Sequence, residues 1–99
     1  MPSGRWYITE HAVNCYVRAL RWPDTDANWE RAQAELIRGS TEASYRRTDR
    51  QGRELWRSPK RTGGGLRWVV DPRPHAGGPL PRVAWVGFGA PPAALFERD

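Results

Sequence analysis

Ninety-nine residues hold one domain, able to bury roughly two-thirds of its unfolded surface, and a single cysteine with two separated histidines excludes an internal disulfide and offers no metal-ligand cluster. Sixteen basic against eleven acidic side chains give a net charge of +5, and fifteen of the sixteen are arginine, a bias that suits an anionic partner even where a GC-rich genome accounts for the ratio. No apolar run approaches the ~20 residues that cross a bilayer and no leader-like segment opens the chain, so the expectation is a cytoplasmic protein of a bacterial cell, without cofactor, metal or membrane contact.

Trp6 to Ile8 alternates and predicts a short strand. Thr9 is then placed to cap a first helix, with Glu10 in its first turn, Ala12, Tyr16, Ala19 and Leu20 at helical spacing and Pro23 as terminator. Asp24, Thr25 and Asp26 are candidate caps for a second helix, whose apolar stripe is Trp29, Ala32, Leu36 and Ile37 and whose stop is Gly39 in a left-handed cap. From residue 43 the period becomes two: "SYRRT" and "RELWR" flank the turn-type "DRQG" and predict a basic hairpin near a sheet edge. "PKRTGGG" is a polar break, and "LRWVVD" and "RVAWVGF" are apolar strands for the sheet centre. The expected fold is α+β, with two N-terminal helices on one face of a mainly antiparallel sheet of four to five strands; residues 1–88 form the domain and 89–99 a C-terminal tail.

No GxSxG, GxGxxG, Walker or HExxH pattern is present, and "GGG" at 63–65 precedes a strand rather than a helix. His11, Asn14, Cys15 and Arg18 share one face of the first helix, and the pattern alone does not separate a site there from an ordinary solvated stripe. The denser constellation is Tyr45, Arg46, Arg47, Arg50, Arg53, Trp56, Arg57, Lys60, Arg61, Arg67 and Trp68, where arginines could pair with phosphates and aromatics could stack bases. Trp68 shares a strand face with Leu66 and Val70 and is expected in the core, whereas Trp56 shares one with Glu54 and is expected outside.

The strand, the "ITEHAV" helix opening, the second helix and the "DRQGRELWR" hairpin followed by "LRWVV" resemble, over roughly residues 6–88, short bacterial and phage proteins whose first helix begins His-Ala-x-x-Arg, similar in layout to the RelE/ParE and BrnT toxins. His11 and Ala12 match the motif, and Cys15 stands where its arginine would be. The resemblance implies a compact sheet with two N-terminal helices and, in the nuclease members, cleavage of messenger RNA.

The expected function is non-catalytic binding of a nucleotide or RNA through His11, Arg18, Tyr45, Arg46, Arg47, Trp56 and Arg57, as in a phage protein that sequesters a nucleotide signal at a homo-oligomer interface. One alternative is a metal-independent ribonuclease in which Arg47 and Arg57 stabilise the phosphorane while His11 moves the proton. Another is a protein-interaction module that turns the same arginines on an acidic surface.

Overall fold

The computed structural model describes residues 5–59, 65–73 and 75–97, so Lys60 and Arg61 of the basic stretch lie outside the described residues. Its elements are β1 (Tyr7–Ile8), α1 (Glu10–Ala19), α2 (Asp26–Ser40), β2 (Ser44–Thr48), β3 (Glu54–Arg57), β4 (Arg67–Asp71) and β5 (Arg82–Gly87). The strands form one sheet in the order β1-β5-β4-β3-β2, antiparallel except where β1 lies parallel to β5. This is the expected α+β fold, with the apolar β4 in the centre and the basic β2 at an edge. Among the described residues no helix is long and apolar enough to cross a membrane.

Thr9 starts α1 and fastens it to the sheet: its hydroxyl oxygen accepts the Ala12 N–H at 3.1 Å while its O–H donates to the Val83 carbonyl at 2.7 Å. The helix ends before Pro23 is reached. The Trp22 N–H returns to the Val17 carbonyl, 3.1 Å away, around Arg21 at φ 57°, a left-handed position normally given to glycine. Thr25 caps α2, accepting the Asn28 N–H at 3.2 Å.

Gly39 is not the terminator of α2, which runs on to Ser40. Its missing side chain instead admits the Trp68 indole, which would stand 3.3 Å from a Cβ placed there. Trp68 is wholly buried, and its N–H donates to Ser58 Oγ at 2.8 Å, so the largest core side chain has no unmet polar group. Trp6, Val13, Val17, Leu36, Val70, Val83 and Val86 complete the core between helices and sheet.

Part of the outer face of the sheet is covered as well. Residues 89–97, expected to be a tail, pack back onto the domain and bury Phe96 to 1% exposure. The segment has no apolar period because it is held by one ring, by the Glu97 carboxylate and by its backbone. Arg53 Nη1 donates to the Ala94 carbonyl at 3.1 Å, Arg47 Nη2 to the Glu97 carbonyl at 3.0 Å, and the Glu97 N–H to Asp49 Oδ2 at 3.3 Å. A bulge in β2 places Tyr45 opposite Trp56 and Arg47 opposite Leu55, so that these two side chains, two residues apart, lie on different faces.

Candidate functional site

Strand pairing sorts the hairpin arginines into two groups. The first is structural. Asp49 and Arg53 form an ion pair at 3.1 Å with both residues buried, at the turn of the hairpin. Burial works against the Asp49 charge, but N–H groups of Arg53, Glu97 and Gln51, with the Arg53 guanidinium, outweigh it and hold the carboxyl below the usual carboxylate range. Arg50 pairs with Glu97 at 3.2 Å, and the Arg47 guanidinium lies 4.6 Å from the centre of the Phe96 ring. These cations fasten the C-terminal segment, which accounts for much of the local excess of arginine. Asp71 likewise neutralises Arg73 at 2.7 Å and Arg82 at 3.2 Å, and chiefly the Arg73 hydrogen bonds, against burial, hold its carboxyl well below the ordinary range.

Trp56 is not the open stacking surface expected of it. Alternation does put it on a face with Glu54, but its register opposite Trp68 turns that face toward the helices. The indole meets Trp6 edge-on at 5.1 Å and Tyr45 at 5.6 Å, has the Arg5 guanidinium 5.0 Å from its centre, and donates its N–H to Glu54 Oε1 at 3.0 Å. Glu54 sits on the inner face because it satisfies that N–H. Tyr45 keeps 52% of its surface exposed but spends its hydroxyl on Thr48 Oγ1, 2.7 Å away.

His11 and Arg18 are exposed on α1, whose buried side packs on β5 and α2 and so lies on the inner side of the sheet. Arg57 shares the outer face with Leu55, so the structure does not bring His11 or Arg18 to it. His11 Nε2 stands 3.5 Å from Cys15 Sγ, but burial pushes that thiol up, despite opposing pulls from a backbone hydrogen bond at Val86 and from Arg18, and it remains protonated at neutral pH.

The second group of arginines is gathered without acidic partners. At one end of the outer face Ser44 stands opposite Arg57, Arg57 opposite Arg67, and Arg67 opposite Gly87. Such facing residues have Cα atoms roughly 5 Å apart, and like charges in this position destabilise a sheet. Arg46 and Arg57 both line a cleft of about 340 Å³ with Ser44, Ser58 and Pro59. Arg67 donates to the Phe88 carbonyl at 3.0 Å, and none of Arg46, Arg57 and Arg67 makes an ion pair among the described residues. At the far end of the row the half-buried Trp85 lays its indole over Gly87, where a Cβ would come within 2.5 Å of the ring. The row is thus three cations on adjacent strands followed by a flat aromatic surface.

No family model, no curated protein and no solved structure matches this chain. Its chemistry is therefore read from its own residues.

Arg46 and Arg57, of the expected set, come together here, while Arg47 serves the C-terminal segment beside them. Arg67 belongs to the basic constellation of the sequence but not to the expected ligand set, and Trp85 was not singled out at all. Continuing the β2–β3 meander into β4 would have set Arg67 against Arg57, and the Trp-x-Gly spacing of residues 85 and 87 is the signal for an indole lying on bare backbone. By contrast, the cleft of about 270 Å³ below α2 mixes Glu35 and Glu42 with Arg38 and has no preference for an anion. Among the described residues no group of three His, Cys, Asp or Glu could hold a metal ion.

Proposed function

We propose that this chain binds a phosphate-bearing ligand, RNA or a nucleotide, on the outer face of its sheet and releases it unchanged. The observation that carries this reading is the Arg57–Arg67 pair, two cations in direct cross-strand register, with Arg46 beside them and no carboxylate partner among the described residues. That arrangement costs folding stability until an anion bridges it, and the forked donors of arginine suit phosphate oxygens. A row running across three strands matches a ligand with successive phosphates, and Trp85 at its end offers a π-face to a base.

The test is fluorescence anisotropy of a labelled single-stranded oligoribonucleotide at low salt, with the recovered oligomer sized on a denaturing gel. Saturable binding, an intact oligomer and weakened binding by Arg57→Gln support the proposal. An Arg57→Gln variant that binds as well as the parent overturns the site; shortened RNA overturns the non-catalytic reading; binding of polyglutamate but not RNA transfers the surface to an acidic protein partner.

A further inference from the structure

The C-terminal segment and the sheet enclose a second cleft of about 370 Å³, lined by Arg47, Leu55, Arg67, Ala90, Pro91, Phe96 and Glu97. Arg67 belongs both to this cleft and to the cationic row, so the two are continuous. Their chemistry differs. The row is polar and shallow, whereas the cleft combines the apolar side chains of Leu55, Ala90, Pro91 and Phe96 with the fixed guanidinium of Arg47, which is held over the Phe96 ring and tied to the Glu97 carbonyl. A volume of this order lies within the range of small-ligand sites, which pair apolar walls with a few polar groups of fixed position.

We infer that this cleft seats a nucleobase of the ligand whose phosphates lie on Arg46, Arg57 and Arg67. The inference rests on the phosphate-binding reading above and adds to the open Trp85 face a walled seat for a base. A heteroaromatic ring is the fragment whose chemistry suits this lining: its faces pack on apolar side chains, and it stacks on guanidinium planes as it does on aromatic rings. Its edge amides and ring nitrogens can also meet Arg67 at the mouth. A fatty acyl chain would use the apolar walls and leave Arg47 without a function toward it. Inorganic polyphosphate would use the row and leave the cleft empty. A nucleoside phosphate uses both, whether it is free or at the end of a strand.

The measurement is competition against the labelled oligoribonucleotide by two unlabelled competitors carrying equal numbers of phosphates, one with bases and one abasic. The base-bearing competitor should win by about tenfold, the size of one stacked base. Leu55→Trp, which fills the cleft, should remove most of the difference between the two competitors while leaving the abasic one unaffected. Ala90→Leu, at an exposed position of the cleft lining, should narrow the difference in the same direction and guards against misfolding of the first variant. Nucleoside triphosphate compared with tripolyphosphate repeats the comparison for free ligands. Parity in the unmodified protein, or a tenfold preference that survives both cleft variants, overturns the inference and leaves the phosphate row standing. Failure of both competitors to displace the probe in the unmodified protein removes the row and the cleft together.

Discussion

Replacing Arg57 with glutamine removes one positive charge from the row and keeps a polar though shorter side chain, so two quantities should move in opposite directions. For single-stranded nucleic acid the logarithm of the binding constant falls with the logarithm of salt concentration at a slope of about −0.7 for each phosphate neutralised, so Arg46, Arg57 and Arg67 together predict a slope of about −2.1. Between 50 and 200 mM salt the unmodified protein should then lose affinity about 18-fold, and Arg57→Gln, with a slope of about −1.4, about sevenfold. Folding should change the other way. Arg57 and Arg67 are directly opposed in the β3–β4 register, and relieving such a like-charge contact is worth roughly 0.2–1 kcal/mol, so the variant should unfold at slightly higher urea. Anisotropy titrations at four salt concentrations and a urea melt supply both quantities. A slope left at the parental value while affinity drops would refute the electrostatic role of Arg57. A variant destabilised by more than about 1 kcal/mol would refute the view that the pair is held against its own repulsion.

Four further outcomes follow from the packing. Phe96→Ala should cost about 3–5 kcal/mol in a urea melt, since the ring is buried to 1% exposure and a loosely attached tail would show no change. Because the Asp49 carboxyl is held below its unfolded value of about 3.9, its contribution is full above that pH and is lost as pH falls through the folded value; the stability gap between the parent and Asp49→Asn, measured from neutral pH to pH 3, should therefore narrow toward the acid end. Arg21→Gly should raise stability by about 0.5–1 kcal/mol in thermal or urea unfolding, because glycine adopts the φ of 57° without a Cβ clash, an effect partly offset by its freer unfolded chain. His11→Ala should leave oligoribonucleotide affinity within about twofold of the parent by anisotropy, since α1 lies on the other side of the sheet from Arg57 and the whole single-charge effect is only a few-fold.

Periodicity made the layers legible, and contact across chain distance hid the rest. Thr9, the alternation in "SYRRT" and "LRWVVD", and the apolar stripe of α2 are local signals, and the elements they predict are present. Gly39 carries the same local signal as any C-terminal glycine, yet its role is set by Trp68, a residue nearly thirty positions later that needs the space. The Trp56 misassignment has the same origin: alternation within one strand says which residues share a face, and only the pairing with Trp68 says which face is inside. The C-terminal segment was illegible for a further reason, since three of its attachments are backbone groups, which no side-chain pattern records. Arg46 and Arg57 were legible as candidates because charge density is visible in the sequence. Their separation from Arg47, Arg50 and Arg53 required knowing which arginines already hold something.

The extra residue in β2 acts as a phase shifter in the strand. Before Arg46, Tyr45 keeps time with the aromatic cluster around Trp56; after it, Arg47 keeps time with the segment that carries Phe96. A chain shortened by that one residue would regain regular alternation and lose one of the two partnerships, either Tyr45 with Trp56 or Arg47 with Phe96. The hairpin should therefore accept many side chains at position 46 but no change in its number of residues, so a mutational library built on this domain would find its sharpest intolerance in the length of an exposed edge strand rather than in its composition.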